Sequence, residues 1–174
     1  ARSRFFPAVH PLQAYSEDVG TLAPWWREQA HPDWSRQRRR FLGLLEEESR
    51  LQRMARIVGK ESLPARQQLT LLCAELINEA FLAQSAFDPV DRFTSPDRQV
   101  AMMQTLDTFL DAAEKAVDNG VAVDRIGELP LMRRLRRMGP EIGEDELDRF
   151  EPLQREIEDT FHQLQQERGA DHAG

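Results

Sequence analysis

The chain has 174 residues, of which 40% are apolar and 30% charged, and its formal net charge is −7. That balance suits a folded domain with a real apolar core, and its acidity argues against sequence-independent nucleic-acid binding, which runs on Lys and Arg against phosphate. A single cysteine, Cys73, excludes an internal disulfide and favours a reducing compartment.

No apolar run reaches the roughly 18 residues needed to cross a membrane, so direct membrane insertion is not expected. The opening ARSRFFPAVHPLQAY lacks the continuous apolar stretch of a signal peptide. A start without Met, with Phe5 and Phe6 close to it, makes a piece of a longer protein the expectation.

The pattern is helical nearly throughout. A first helix is expected within residues 11–29, weakened at Gly20, and His31-Pro32-Asp33 punctuates it. Asp33 is placed to cap a second helix, because the first amides of a helix need an acceptor. Along that helix Phe41, Leu45, Leu51, Met54 and Val58 fall near helical spacing and read as its buried stripe. Gly59 stands where a left-handed terminating residue belongs. After the loop at 60–63, Pro64 opens a third helix, where its missing N–H costs nothing, with a stripe of Leu69, Leu72, Leu76, Ala80 and Phe81.

Residues 84–94 break the pattern with Pro89 and two aspartates, and Ser95-Pro96-Asp97 restarts it with a cap, a first-turn proline and an acid near the positive helix end. The fourth helix carries Val100, Met103, Leu110, Ala113 and Val117 and stops at Gly120. Residues 123–129 and 131–138 read as two short helices split by Pro130, closed by Gly139-Pro140. The last helix spans about 144–167 on Leu147, Phe150, Ile157, Phe161 and Leu164, with Pro152 expected to kink or divide it. The polar tail at 168–174 reads as disordered. No strand pattern and no internal repeat is evident. The fold class is therefore all-α: an irregular multi-helix bundle with a protruding helix-turn-helix and no significant sheet.

Catalytic and metal motifs are missing. There is no phosphate-binding glycine loop, no paired-Cys zinc pattern, no HExxH and no EF-hand loop. His10, His31, His162 and His172 are scattered, and Cys73 beside Leu71 and Leu72 reads as core. Neither a catalytic residue nor a metal ligand is assigned. Two basic runs, RQRRR at 36–40 and RRLRR at 133–137, could meet phosphate or an acidic partner; each is also readable as an exposed helix face among glutamates.

Several stretches, in order, resemble the catalytic A subunit of rotary V/A-type ATPases. FPAVHPLQAYS (6–16) is similar to the family's FPAINWLTSYS, and HPDW (31–34) to a segment ending in DPEW. IVGKESLPARQQLTL (57–71) is similar to VGPDALPEKDRLIL, and FLAQSAFDPVDRFTSPDRQVAMM (81–103) to FLQQNAFDPVDTYCSLEKQYKML. GVAVDRIGELPLMRRLRRM (120–138) is similar to a short-helix segment with ELPV and RM. The departures are His10-Pro11, where the family has Asn-Trp, and Gly20 inside the first helix.

The resemblance implies the C-terminal helical domain of that protein. It divides the chain into a junction to a nucleotide-binding domain (1–15), the helical domain (16–167) and the tail (168–174). It implies a parent that couples ATP synthesis or hydrolysis to ion transport, using ATP or ADP with Mg. This domain would bind neither tightly and would have no catalysis of its own. Expected partners are the parent's nucleotide-binding domain, the B subunits and the central stalk, with no nucleic acid. The expected location is cytoplasmic, peripheral to the membrane.

Two sites follow from the resemblance. F-type relatives flank adenine with two aromatics six positions apart, which match Phe87 and Phe93 here; the pocket is the favoured reading and filling core the rival one, while Asp88 and Asp91 would brace the loop. The turn at 60–68 matches the strongly acidic F-type torque loop, giving Glu61, Ser62, Leu63 and Pro64 as stalk contacts, with Leu63 and Pro64 touching by shape because the charges at this tip are mixed. Without the resemblance that turn reads as an ordinary exposed loop. The rival from another class is a stand-alone helical protein-interaction module.

Overall fold

The structure, a computed structural model, describes residues 33–87 and 96–171. The junction at 1–15, the expected helix at 11–29, Phe5, Phe6 and Phe93 lie outside the described residues, as do residues 172–174. Among the described residues six α-helices follow one another: α1 (Trp34–Val58), α2 (Ala65–Phe87), α3 (Pro96–Asp118), α4 (Val123–Gly127), α5 (Pro130–Glu141) and α6 (Phe150–Asp171). Two 3₁₀ turns, Lys60–Ser62 and Glu144–Arg149, join them, and no strand occurs among the described residues.

The apolar stripes set the packing. α1 and α2 form an antiparallel pair, α5 lies along α2, and α3 pairs with α6. The main core gathers Phe41, Leu76, Met103, Phe109, Leu135 and Ile157, all at most 1% exposed. Across the α3–α6 seam the rings of Phe109 and Phe161 meet edge to face, with centroids 5.6 Å apart at 67°, the geometry that brings ring edge onto ring face. Nearby, Gln154 Nε2 donates to Thr105 Oγ1 at 3.1 Å.

The helix ends carry most of the differences from expectation. Asp33 makes no side-chain cap; its carboxylate lies 3.7 Å from Arg36 instead. Gly59 has the positive φ expected (86°), but its ψ of 144° is extended, so the chain leaves α1 directly into the 3₁₀ turn. Pro64 precedes α2, and its carbonyl accepts from the amides of Gln67 and Gln68. α2 runs on to Phe87, past the point at Gln84 where a break is expected.

Gly120 stops α3 by a Schellman arrangement: Val121 N–H donates to Ala116 O at 2.9 Å and Gly120 N–H to Val117 O at 2.8 Å. Its φ of 87° favours glycine, and a Cβ there would overlap the guanidinium of Arg168. Pro130 begins α5 at its first turn. Gly139-Pro140 does not end that helix, which continues to Glu141. A proline in the last turn loses one bond, and here Ile142 N–H closes on Met138 O at 3.0 Å while Arg98 donates to Gly139 O.

Division of the last helical segment comes before Phe150, at Glu146 (φ −120°, ψ 28°), and leaves Pro152 in the first turn of α6. Glu146 takes the Gly143 N–H at 3.0 Å there. α6 extends through Asp171, so the tail expected to be disordered from Arg168 is helical over its first four residues.

Candidate functional site at the hairpin tip

α1 is 25 residues long, about 37 Å at 1.5 Å per residue. Its first half belongs to the main core through Trp34, Phe41 and Leu45. From Leu51 onward it leaves that core. Leu51, Leu63 and Leu71 form a second buried cluster, with Met54 and Ala55 packed against it. The tip of the hairpin thus carries its own apolar support.

The turn itself is held from inside. Ser62 N–H donates to Gly59 O and Leu63 N–H to Lys60 O, each at 3.2 Å. Gln68 Nε2 reaches back to Leu63 O at 2.8 Å and to Glu61 O at 3.4 Å. These bonds fix the turn before any partner arrives, so little ordering entropy remains to be lost on contact.

Of the four tip residues expected to make contact, Glu61, Ser62 and Pro64 are exposed. Leu63 is not: at 4% exposure it is the pin of the tip cluster, and its side chain is unavailable to a partner. The apolar surface lies one turn earlier. Ile57 is 84% exposed and Val58 52%, the large hydrophobic side chains left in solvent among the described residues. Val58 therefore corrects the buried stripe expected for α1. Past Leu51 the packing of this helix among the described residues is the small cluster with Leu63 and Leu71, so an apolar residue at the right spacing can still face water.

The hairpin is tied to α3 by charge both near the start of α1 and close to the turn. Arg40 Nη1 donates to Asp107 Oδ1 at 2.6 Å and to Asp111 Oδ1 at 2.7 Å, and its other terminal nitrogen lies 3.1 Å from Glu114. Arg36 reaches Asp107 Oδ2 at 2.9 Å. Arg66, at the start of α2, pairs with Asp118 at 2.8 Å and Glu114 at 3.3 Å. Burial alone would lower the Arg40 pKa, but the hydrogen bonds it donates to Asp111, Asp107 and Glu114 outweigh it and raise it above its already high ordinary value. The RQRRR run is thus largely a structural seam. Arg36 and Arg40 cross to α3, Arg38 lies over the Trp34 ring at 5.7 Å, and Arg39 is exposed. In the second run Arg134 pairs with Glu156 and Arg136 with Glu79, while Arg133 and Arg137 are exposed.

For the aromatic pair, Phe87 is the last residue of α2, and Phe93 lies in the segment at 88–95 outside the described residues. No group of His, Cys, Asp and Glu able to hold a metal occurs among the described residues. Cys73 is buried, and desolvation, with a smaller push from Glu114, drives its thiol far above the ordinary range, so it is inert core. No described helix is long and apolar enough to cross a membrane.

The described residues form an all-α bundle whose first two helices make a hairpin with its own apolar cluster near the turn. The family described as the C-terminal domain of V and A type ATP synthase matches residues 23–126. The chain belongs to that family. It is 37% identical over 170 residues to the A subunit of the A-type ATP synthase of Thermococcus onnurineus, covering 98% of this chain and 28% of that protein. It is 35% identical over 167 residues to the protein of the same name from Methanopyrus kandleri, covering 96% and 28%. With the Pyrococcus horikoshii protein of that name, identity is 40% over 138 residues, 79% of this chain and 14% of that protein. The chain thus spans about 28% of the length of the first relatives it matches.

Proposed function

We propose that this domain works within the catalytic A subunit of a rotary ATP synthase, where it transmits motion between the nucleotide-binding head and the central stalk. The parent would couple ATP synthesis or hydrolysis to ion transport, using ATP or ADP with Mg held mainly by its nucleotide-binding domain. The domain would sit on the cytoplasmic side, peripheral to the membrane, beside the B subunits. What carries the reading is the arm: a hairpin with its own apolar cluster, a hydrogen-bonded turn and two apolar side chains left in solvent at its end.

A rigid-body swing of the bundle would carry such a braced tip with it. The contact residues proposed are Glu61, Ser62 and Pro64, joined by Ile57 and Val58 in place of the buried Leu63. A photo-crosslinker at position 62 of the assembled complex should capture the central stalk; capture of other proteins of the complex and never the stalk would overturn the contact.

Phe87 and Phe93 are proposed as the adenine side of the nucleotide pocket. Stacking on an aromatic face contributes roughly 1–3 kcal/mol per base. Phe87→Ala in the full-length parent should weaken nucleotide binding by about 5- to 150-fold on that scale, and unchanged affinity in a folded variant would remove the assignment.

A further inference from the structure

The charge on the arm runs against the charge of the molecule. The chain carries a net −7, yet the exposed end of α1 and the turn hold Arg53, Arg56 and Lys60 against the single carboxylate of Glu61. Arg50 and Arg66 nearby are engaged, by Glu47 and by Asp118 with Glu114. Arg53, Arg56 and Lys60 show no ion pair among the described residues. Positions 53, 56 and 57 follow the i, i+3, i+4 spacing of one face of α1, so two cations border Ile57, and Lys60 follows at the start of the turn. Beside them an open groove of about 420 Å³ between α1 and α2 has a mixed lining, with Arg56 and Lys60 offset by Glu48 and Glu75 around Ala55 and Leu71, so the unbalanced positive charge lies on the outer face at Arg53, Arg56 and Lys60 and not in the groove.

We propose that the tip is a basic-apolar docking surface whose protein partner presents an apolar patch ringed by carboxylates. The proposal rests on the stalk contact above and specifies its chemistry. Ile57 and Val58 supply the apolar centre, which loses water on contact. Arg53, Arg56 and Lys60 form the rim, which steers approach and fixes register. The sign is opposite to that of the strongly acidic F-type loop which this turn matches, so the complementary stalk surface is acidic. A pair of apolar side chains is too small for an interfacial membrane helix, which buries a whole apolar face.

The test uses the assembled catalytic head of the parent enzyme and its purified central stalk, with affinity measured at low and high salt. The charge-reversed Arg53→Glu/Arg56→Glu/Lys60→Glu head should bind more than about tenfold more weakly at low salt, with the gap narrowing at high salt as screening rises. Ile57→Ser/Val58→Ser should weaken binding to a similar extent at both salts. Arg53→Lys/Arg56→Lys should keep most of the affinity. Equal or tighter binding by the charge-reversed head, in a variant whose crosslinker at position 62 still captures the stalk, overturns the charge assignment and leaves the stalk contact standing. Loss of that crosslink in the wild-type sequence overturns both. Binding of the wild-type tip to phosphatidylglycerol vesicles, abolished by the reversal while stalk affinity is unchanged, also overturns the proposal.

Discussion

Arg40 and Asp107 meet at 2.6 Å across the seam between α1 and α3, and the Asp107 carboxylate, 8% exposed, also takes Arg36. Two cations from one helix thus converge on one buried acid of another. Asp107→Asn keeps the shape and removes the charge. It should lower unfolding free energy by about 1.5–3 kcal/mol, the range for hydrogen bonds to charged groups, with Asp111 and Glu114 still holding Arg40. Urea denaturation checks this, and an unchanged midpoint would show that the seam is not what fastens the arm. Arg36→Ala should cost less than about 1 kcal/mol, because that side chain is half exposed.

Gly120 and Arg168 make a second, separable test. Gly120→Ala forces a side chain into a positive-φ position, at about 1–2 kcal/mol, and drives it into the Arg168 guanidinium. Arg168→Ala removes the second penalty alone. The double variant should therefore be more stable than the sum of the two single changes predicts. Strict additivity in thermal unfolding would place the whole cost in the backbone.

The tip cluster predicts a local effect. Leu63→Ala empties a buried position and should cost about 2–4 kcal/mol, felt mainly in the arm because Leu63 contacts the small cluster and not the main core. Amide exchange should speed up across residues 51–71 and remain slow in α3 and α6. Ile57→Ser, at an exposed site, should change stability by less than about 0.5 kcal/mol. If both substitutions loosened the whole bundle equally, the arm would not be a separate unit.

The α2–α5 contact carries a pH signature. Burial raises the Glu79 carboxyl; Arg136 at 2.5 Å pulls it down and Glu75 pushes it up, and the net shift is upward. The fold therefore holds a proton at pH values where the unfolded chain has released it, and stability falls as pH rises through that window. The window opens at the ordinary glutamate value of about 4.3. Glu79→Gln should give a flatter profile across it. An identical pH dependence of the urea midpoint in both proteins would dismiss the effect.

What can be read from the sequence follows from which interactions are local. Stop signals such as Gly120, starts such as Pro96 and Pro130, and the stripes through Leu76 and Ile157 depend on neighbours within a turn or two, so periodicity and capping chemistry reveal them. Val58 and Leu63 come out reversed because spacing says which residues share a face, not how far the covering helix extends. The exposure of Ile57 has one local signal, its place between Arg53, Arg56 and Lys60. The role of Arg40 is hidden for another reason: its acids lie 67 and 71 residues away. Pro140 misleads because a proline in the final turn forfeits only one bond.

The antiparallel course of α1 and α2 has a mechanical consequence. A sideways force applied near Ile57 reaches the bundle as a couple, stretching one helix along its axis and compressing the other. Backbone hydrogen bonds run along those axes and share the axial load turn by turn. Sliding between the two helices falls instead on the side-chain seam, where Leu51, Leu63 and Leu71 interlock at the far end, while Arg66 with Asp118 ties the start of α2 to α3. The arm would then yield first by slip along that seam, and the residues that set its compliance are the ones a partner never touches.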